Sequence, residues 1–294
     1  MGKAFFQLHL AVFLAGFTGV LGKLIGLHEG WLVWYRLWIA VVILGFILII
    51  SKQFEAIGRK GLLRLFGVGC IVAFHWVMFY ASIKYANASV ALVCFAATGF
   101  FTAIFEPFLI KRKFIPVELL LGIFSLAGIF TIFGFNPHFQ KGIIFGIISS
   151  MGSAIFPVLN KKLVVQYKPR VMTFYELTGA FIFLTLFLPF YLRQFPASYH
   201  LPTSSDWLWL LILVVFCTVL AFELQLNALK KVSAFTSNLT YSLEPVYGVI
   251  LAFLILNEGQ GMGSSFFIGL SVVALAVVIQ TSRVWKGKNS SLLP

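Results

Sequence analysis

Long apolar runs separated by short polar punctuation make up almost the whole chain. Ten such runs lie near 5–25, 31–50, 62–83, 88–110, 115–134, 142–162, 171–192, 206–228, 233–256 and 263–282. A helix needs about 20 apolar residues to cross a hydrocarbon layer of about 30 Å, and each run is close to that length. The punctuation falls at 51–60, 111–116, 136–137, 168–169, 194–206 and 257–263. The pattern predicts an all-α integral membrane protein with ten transmembrane helices. The first run follows Lys3 and reaches about Ile25 without an A-x-A-like cleavage site, so it reads as a retained span rather than a leader.

The polar positions orient the spans. With the N-terminus in the cytoplasm, the inner loops collect Lys3; Lys52, Arg59, Lys60 and Arg64; Lys111, Arg112 and Lys113; Lys161, Lys162, Lys168 and Arg170; Lys230 and Lys231; and Arg283, Lys286 and Lys288. Of the 22 Lys and Arg, only Lys23, Arg36, Lys84, Lys141 and Arg193 fall elsewhere. An excess of Lys and Arg marks cytoplasmic loops, so both termini are expected inside.

A repeat underlies this order. When 81–113 is laid on 228–260, Ala81 meets Ala228, Lys84 meets Lys231 and Leu92 meets Leu239. Gly22-Lys23 closes the first run as Asn160-Lys161 closes the sixth. Five spans in each half force the second half to enter the membrane from the opposite side. The expected organisation is two inverted-topology five-helix repeats, 1–134 and 141–284, followed by a cytoplasmic tail at 285–294. In that architecture substrate binds near the midplane, where the halves meet.

Composition narrows the function. The chain is 60% hydrophobic and 11% charged, against about 25% charged in soluble domains. The net charge of +13 sits in short clusters between apolar runs, the pattern of cytoplasmic loops and not of a nucleic-acid surface. Cys70, Cys94 and Cys217 lie inside apolar runs with no CxxC; the five histidines are scattered; Asp206 is the lone aspartate; no GxxxxGK[ST] loop occurs. No catalytic residue, metal site or cofactor is therefore expected. The expected partners are a small-molecule substrate, the lipid bilayer and protons, in a multi-pass plasma-membrane protein of the bacterial inner-membrane kind. The competing class is a membrane-embedded enzyme or lipid-modifying protein. It would need a convergent polar cluster, such as paired acids with a histidine, and the sequence offers none.

Several runs resemble a known family. Ala81-Ser-Ile-Lys-Tyr-Ala-Asn-Ala-Ser-Val-Ala-Leu and Asn227-Ala-Leu-Lys-Lys-Val-Ser-Ala-Phe-Thr-Ser-Asn-Leu are similar to the third-to-fourth and eighth-to-ninth helix junctions of the EamA family. This is the ten-helix branch of the drug/metabolite transporter superfamily. Leu243-Glu244-Pro245-Val246 followed by Glu258 resembles the ninth helix, and Lys141-Gly142 the start of the sixth. The resemblance spans roughly 5–284. It implies secondary transport by alternating access, usually export of amino acids, other metabolites or vitamins. The halves depart from one another at Ala97, Thr98 and Lys111, where the second half has Glu244, Pro245 and Glu258.

The candidate substrate-binding residues are His75, Trp76 and Tyr80 on helix 3, Thr98 on helix 4, and Tyr241 and Glu244 on helix 9. An uncompensated carboxylate or imidazole inside a span is costly, so Glu244 and His75 are expected to share one hydrated pocket with aromatic walls. Pro245 is the candidate hinge, because proline frees a backbone carbonyl and kinks a helix. Arg36 and Glu176 lie near the starts of their runs and are expected to snorkel to an interface. Glu223 is expected at the cytoplasmic mouth. Gly16, Gly19 and Gly22, and Gly142, Gly146, Ser150 and Ala154, form small stripes suited to close helix packing.

Overall fold

The structure is a computed structural model that describes residues 2–111, 113–133, 139–195, 201–232, 237, 240–241, 243–261 and 263–290. These form α1 (Gly2–Leu24), α2 (Glu29–Ile50), α3 (Arg59–Tyr85), α4 (Ala88–Phe95), α5 (Thr98–Ile110), α6 (Pro116–Phe133), α7 (Gln140–Leu163), α8 (Pro169–Gln194), α9 (Ser204–Val214), α10 (Ala221–Leu229), α11 (Glu244–Leu256) and α12 (Ser264–Ser290). A π-helical turn, Val215–Leu220, joins α9 to α10. There is no strand among the described residues.

Seven stretches are long and apolar enough to cross a membrane: α1, α2, α3, α4 with α5, α7, α8, and α9 through α10. Three shorter apolar stretches, Pro116–Thr131, Glu244–Leu256 and Ser264–Ala276, fall within the fifth, ninth and tenth apolar runs of the sequence. Large apolar side chains such as Phe46, Leu186 and Leu254 stay exposed on the outside of the bundle, as lipid-facing residues do.

The ends of the helices follow local chemistry. Past α2, Lys52 turns left-handed at φ 52°, and Gln53 N–H reaches Leu48 O while Lys52 N–H reaches Ile49 O. This pair of bonds closes the last carbonyls of a helix in the Schellman manner. α9 opens on a capping box between Thr203 and Asp206. The second oxygen of Asp206 accepts from Gly26 N–H at 2.7 Å, so the lone aspartate also fixes the turn between α1 and α2. In that turn His28 caps α2 by accepting from Gly30 N–H at 3.3 Å, and burial pushes its imidazole below the usual value.

Each half leans on the other in a reciprocal way. α1 packs on α10 and α11, and α7 packs on α3, α4 and α5. Counterparts also pair directly: α2 with α8, α4 with α11, and α6 with α12. The small stripes make these approaches possible. A Cβ on Gly16 would stand 3.1 Å from Tyr247 Cβ of α11, and one on Gly146 would stand 2.6 Å from Cys94 Cβ of α4. The tightest approach is elsewhere, where a Cβ on Gly69 of α3 would lie 2.0 Å from the backbone oxygen of Glu176 on α8.

The fourth and ninth apolar runs differ from the expectation of unbroken helices. The fourth divides into α4 and α5 at Ala96 and Ala97. In the ninth, α11 starts at Glu244, and residues 233–236, 238, 239 and 242 lie outside the described set. α5 and α11 both end on a left-handed residue at φ 55°, Lys111 and Asn257. Just beyond α11, Glu258 accepts from Ala88 N–H at 3.1 Å, Ser89 N–H at 2.9 Å and Ser89 O–H at 2.7 Å. A carboxylate at a helix N-terminus meets unsatisfied N–H groups and a favourable dipole, so Glu258 fastens the second half to the start of α4. At the far end of the bundle, Lys161 Nζ donates to the carbonyls of Leu229 and Val232.

Candidate functional site

The central cavity is assembled from α1, α2, α3, the end of α4, α7, the π turn, α10, Tyr241 and the start of α11. Its volume is about 60 Å³, enough to hold a few waters. Aromatic side chains wall it: Trp76, Phe79, Phe95, Phe156, Phe222 and Tyr241. Its polar lining is Thr18, Arg36, His75, Ser153, Gln225 and Glu244.

Arg36 is the centre of the polar lining. Far from snorkelling, its side chain is almost wholly buried at 2% exposure. Nε donates to Thr218 Oγ1 at 2.9 Å, one Nη to Tyr80 Oη at 2.9 Å, and the other to Cys217 O at 3.3 Å. Its Cζ lies 3.6 Å from the centre of the Trp76 ring, within the range where a cation is drawn to an aromatic face. A guanidinium carries five N–H donors, so these bonds hold it rigidly and still leave capacity for a ligand. The π turn supplies two of its acceptors. Thr218 Oγ1 accepts from Arg36 while donating to Leu213 O at 3.0 Å. π turns inside helices often mark functional sites.

His75 is fixed from α7. Nδ1 lies 2.8 Å from Ser149 Oγ and 3.0 Å from Ser149 O. The carbonyl can only accept, so Nδ1 carries the proton, and in the neutral ring Nε2 is the acceptor. Ser149 O–H spends its own proton on His75 O at 3.0 Å. The ring stacks on Phe95 and Phe156, with centroids at 5.5 and 6.1 Å.

Glu244 opens α11 and is buried at 5% exposure. A carboxylate in the first turn of a helix is favoured by the dipole. It lines the same cavity as Arg36. The cavity therefore carries one fixed cation, one acid and a ring of aromatic surface.

The structure brings His75, Trp76, Tyr241 and Glu244 together on this cavity. Tyr80 stands behind it and orients Arg36 instead of lining the wall. Thr98 is buried at the start of α5, outside the lining, with a hydroxyl that has no partner among the described residues. Pro245 stands in the first turn of α11, where proline removes no intrahelical bond. Glu176, expected at an interface, is sealed at 0% exposure against Asn160, whose Nδ2 donates to its Oε2 at 3.2 Å. Glu223 forms a fork with Arg170, with Nη2 at 2.7 Å and 3.0 Å from its two oxygens.

Arg36 was expected at an interface and not in the site, and Thr218 and Ser149 were absent from the sequence expectation. Arg36 carried a signal, a lone charge flanked by Trp31–Tyr35 and by the apolar run after it. Thr218 and Ser149 carried none, since hydroxyls are common in spans.

The family model described as "EamA-like transporter family" matches residues 2–134 and again 140–280. The chain belongs to the EamA-like transporter family. It is 31% identical over 277 residues to the "Uncharacterized transporter YetK" of Bacillus subtilis, covering 87% of this chain and 80% of that protein. It is 29% identical over 205 residues to an "Uncharacterized transporter" of Archaeoglobus fulgidus, covering 67% of each. One solved crystal structure superposes with a TM-score of 0.68 at 15% identity, over 97% of this chain and 99% of that one, which is a likeness of fold alone. The chain is thus a multi-pass membrane protein of a transporter family, and such families are not enzymes in general.

Proposed function

We propose that this chain is a secondary transporter of amino acids or closely related small zwitterions, working as an exporter by alternating access. The observation that carries the reading is the pairing of Arg36 and Glu244 on one aromatic-walled cavity. A carboxylate is recognised by the guanidinium fork, an ammonium by the acid, and an apolar side chain by Trp76, Tyr241 and their neighbours. His75 adds an acceptor through Nε2. Tyr80 acts by aiming Arg36, and Thr98 by offering a hydroxyl as the fourth helix shifts. Glu244 is also the proposed site of a driving proton, and Pro245 the hinge beside it.

The same reading treats the chain as ten spans in two inverted repeats, 1–134 and 141–284, with a cytoplasmic tail at 285–294. The basic residues of the inner loops and the reciprocal packing of α1 and α7 support it. The cavity at about 60 Å³ is far smaller than the usual small-molecule site, which runs to about 300–1,000 Å³. On this reading the structure is a contracted state. The Glu258 latch on α4 and the Lys161 tie on α10 hold its two ends, and release of one at a time would admit substrate from one side.

The test is counterflow in liposomes holding the purified protein, screened with amino acids, their decarboxylated amines and their deaminated acids. The zwitterions should exchange, and both singly charged series should exchange at least about tenfold more slowly, since each loses one charge-assisted contact. Equal exchange of an uncharged metabolite would overturn the reading. Reporter fusions after Lys60, Lys113, Lys168, Lys231 and Lys288 should all report cytoplasm, and a far-side C-terminus would sink the inverted repeat.

A further inference from the structure

A second opening lies apart from the central cavity. It is a groove of about 610 Å³ between α3 and α7, lined by Leu63, Val68, Ile71, Leu159 and Leu163 along most of its length. At one end stand Arg64, near the start of α3, and Lys162, near the end of α7. Both side chains are exposed, and no acidic residue lines the groove. The floor is open at Gly67, where an added Cβ would meet nothing within 4 Å.

Two features identify the occupant. The groove lies on the outer flank of a membrane bundle, so its apolar length faces acyl chains. Its two cations lie together at one end, the level at which a lipid headgroup would sit above a chain in the groove. Basic pockets between helices near the cytoplasmic face suit anionic headgroups. We propose that this groove binds one anionic phospholipid, with an acyl chain between α3 and α7 and the phosphate on Arg64 and Lys162.

The site has a route to the transport machinery. Lys162 Nζ already donates to Leu109 O at 2.8 Å, at the end of α5. An ammonium has three N–H donors, so it can hold that carbonyl and a phosphate oxygen together. A bound lipid then ties three helices, α3, α5 and α7, at the end of the bundle where Lys161 also clasps α10.

The test uses the full chain in detergent, titrated with phosphatidylglycerol or phosphatidylcholine and read by native mass spectrometry of retained lipid. The wild type should retain phosphatidylglycerol about tenfold more strongly than phosphatidylcholine, as expected for two surface cations. Arg64→Gln with Lys162→Gln should abolish that preference, and Gly67→Leu should lower retention of both lipids by filling the groove. Glycerol phosphate, lacking chains, should not displace bound phosphatidylglycerol. Because all three positions are exposed, melting of each variant without lipid should match wild type. Equal retention of the two lipids by wild type, or unchanged retention in Gly67→Leu together with the double variant, would overturn the proposal. Displacement by glycerol phosphate would overturn it too, by showing an anion site without a lipid.

Discussion

Glu244 and Glu176 are both fully enclosed acids within a helical membrane bundle, and their surroundings differ in kind. Glu244 faces the cavity, at the first turn of α11, on walls it shares with a guanidinium held by Tyr80, Thr218 and Cys217. Glu176 faces only Asn160. One bond joins them, while Glu176 Oε1 and Asn160 Oδ1 have no partner among the described residues. Both of those oxygens are acceptors left without a donor among the described residues. The lesson is that burial does not mark a transport residue. What separates the two acids is whether space and an opposite charge lie beside the carboxyl or an amide closes it off.

The largest effect should come from breaking the cavity pair. Glu244→Gln should abolish uptake driven by a pH gradient and lower counterflow about a hundredfold, because it leaves the buried Arg36 charge without its counterpart. Arg36→Lys should fall as far, since an ammonium cannot span Thr218 Oγ1, Tyr80 Oη and Cys217 O at once. Fluorescence-detected gel filtration separates loss of transport from loss of fold. Gradient-driven uptake that survives Glu244→Gln would remove the acid from the mechanism and make the two carboxyls alike.

Next in size is the stability of the sealed acid. Glu176→Gln keeps the shape and offers Asn160 a donor, so melting and counterflow should stay near wild type. Glu176→Leu strands Asn160 and should cost about 1–3 kcal/mol in unfolding measurements, with turnover per folded molecule retained. If Glu176→Gln instead stopped transport, Glu176 would belong with Glu244, and the sealed pair would be a proton site in use.

These contrasts show what the sequence could tell. The apolar runs and their basic punctuation placed all seven long helices, because lipid demands long apolar stretches and tolerates few exceptions. His75 and Glu244 stood out because an imidazole and a carboxylate are misfits in lipid, while Trp76 and Tyr241 were read only as the walls and hydroxyl beside them. Arg36 was read as snorkelling since its run was started near 31, while α2 begins at Glu29 and buries the charge. The division at Ala96 and Ala97 was invisible, as alanine neither breaks nor kinks a helix by itself. Glu176 and Asn160 lie sixteen residues apart on different helices, and the packing of both α7 and α8 against α3 brings them together.

The smallest effect expected concerns Pro245, next to the acid on which the comparison turns. In the first turn of α11 it removes no backbone bond, so its loss should leave the folded helix intact. Its ring instead restricts the backbone where the described helix begins. Pro245→Ala widens the range of conformations available to that junction, a change of about 0.4–1 kcal/mol when proline rigidity is lost. If the junction flexes during transport, turnover should change by roughly threefold while the substrate concentration for half-maximal counterflow stays fixed. Glu244 keeps its place on the cavity wall in this variant, so binding is the control. A change in half-saturation with turnover unchanged would mean that Pro245 shapes the site and does not act as the hinge.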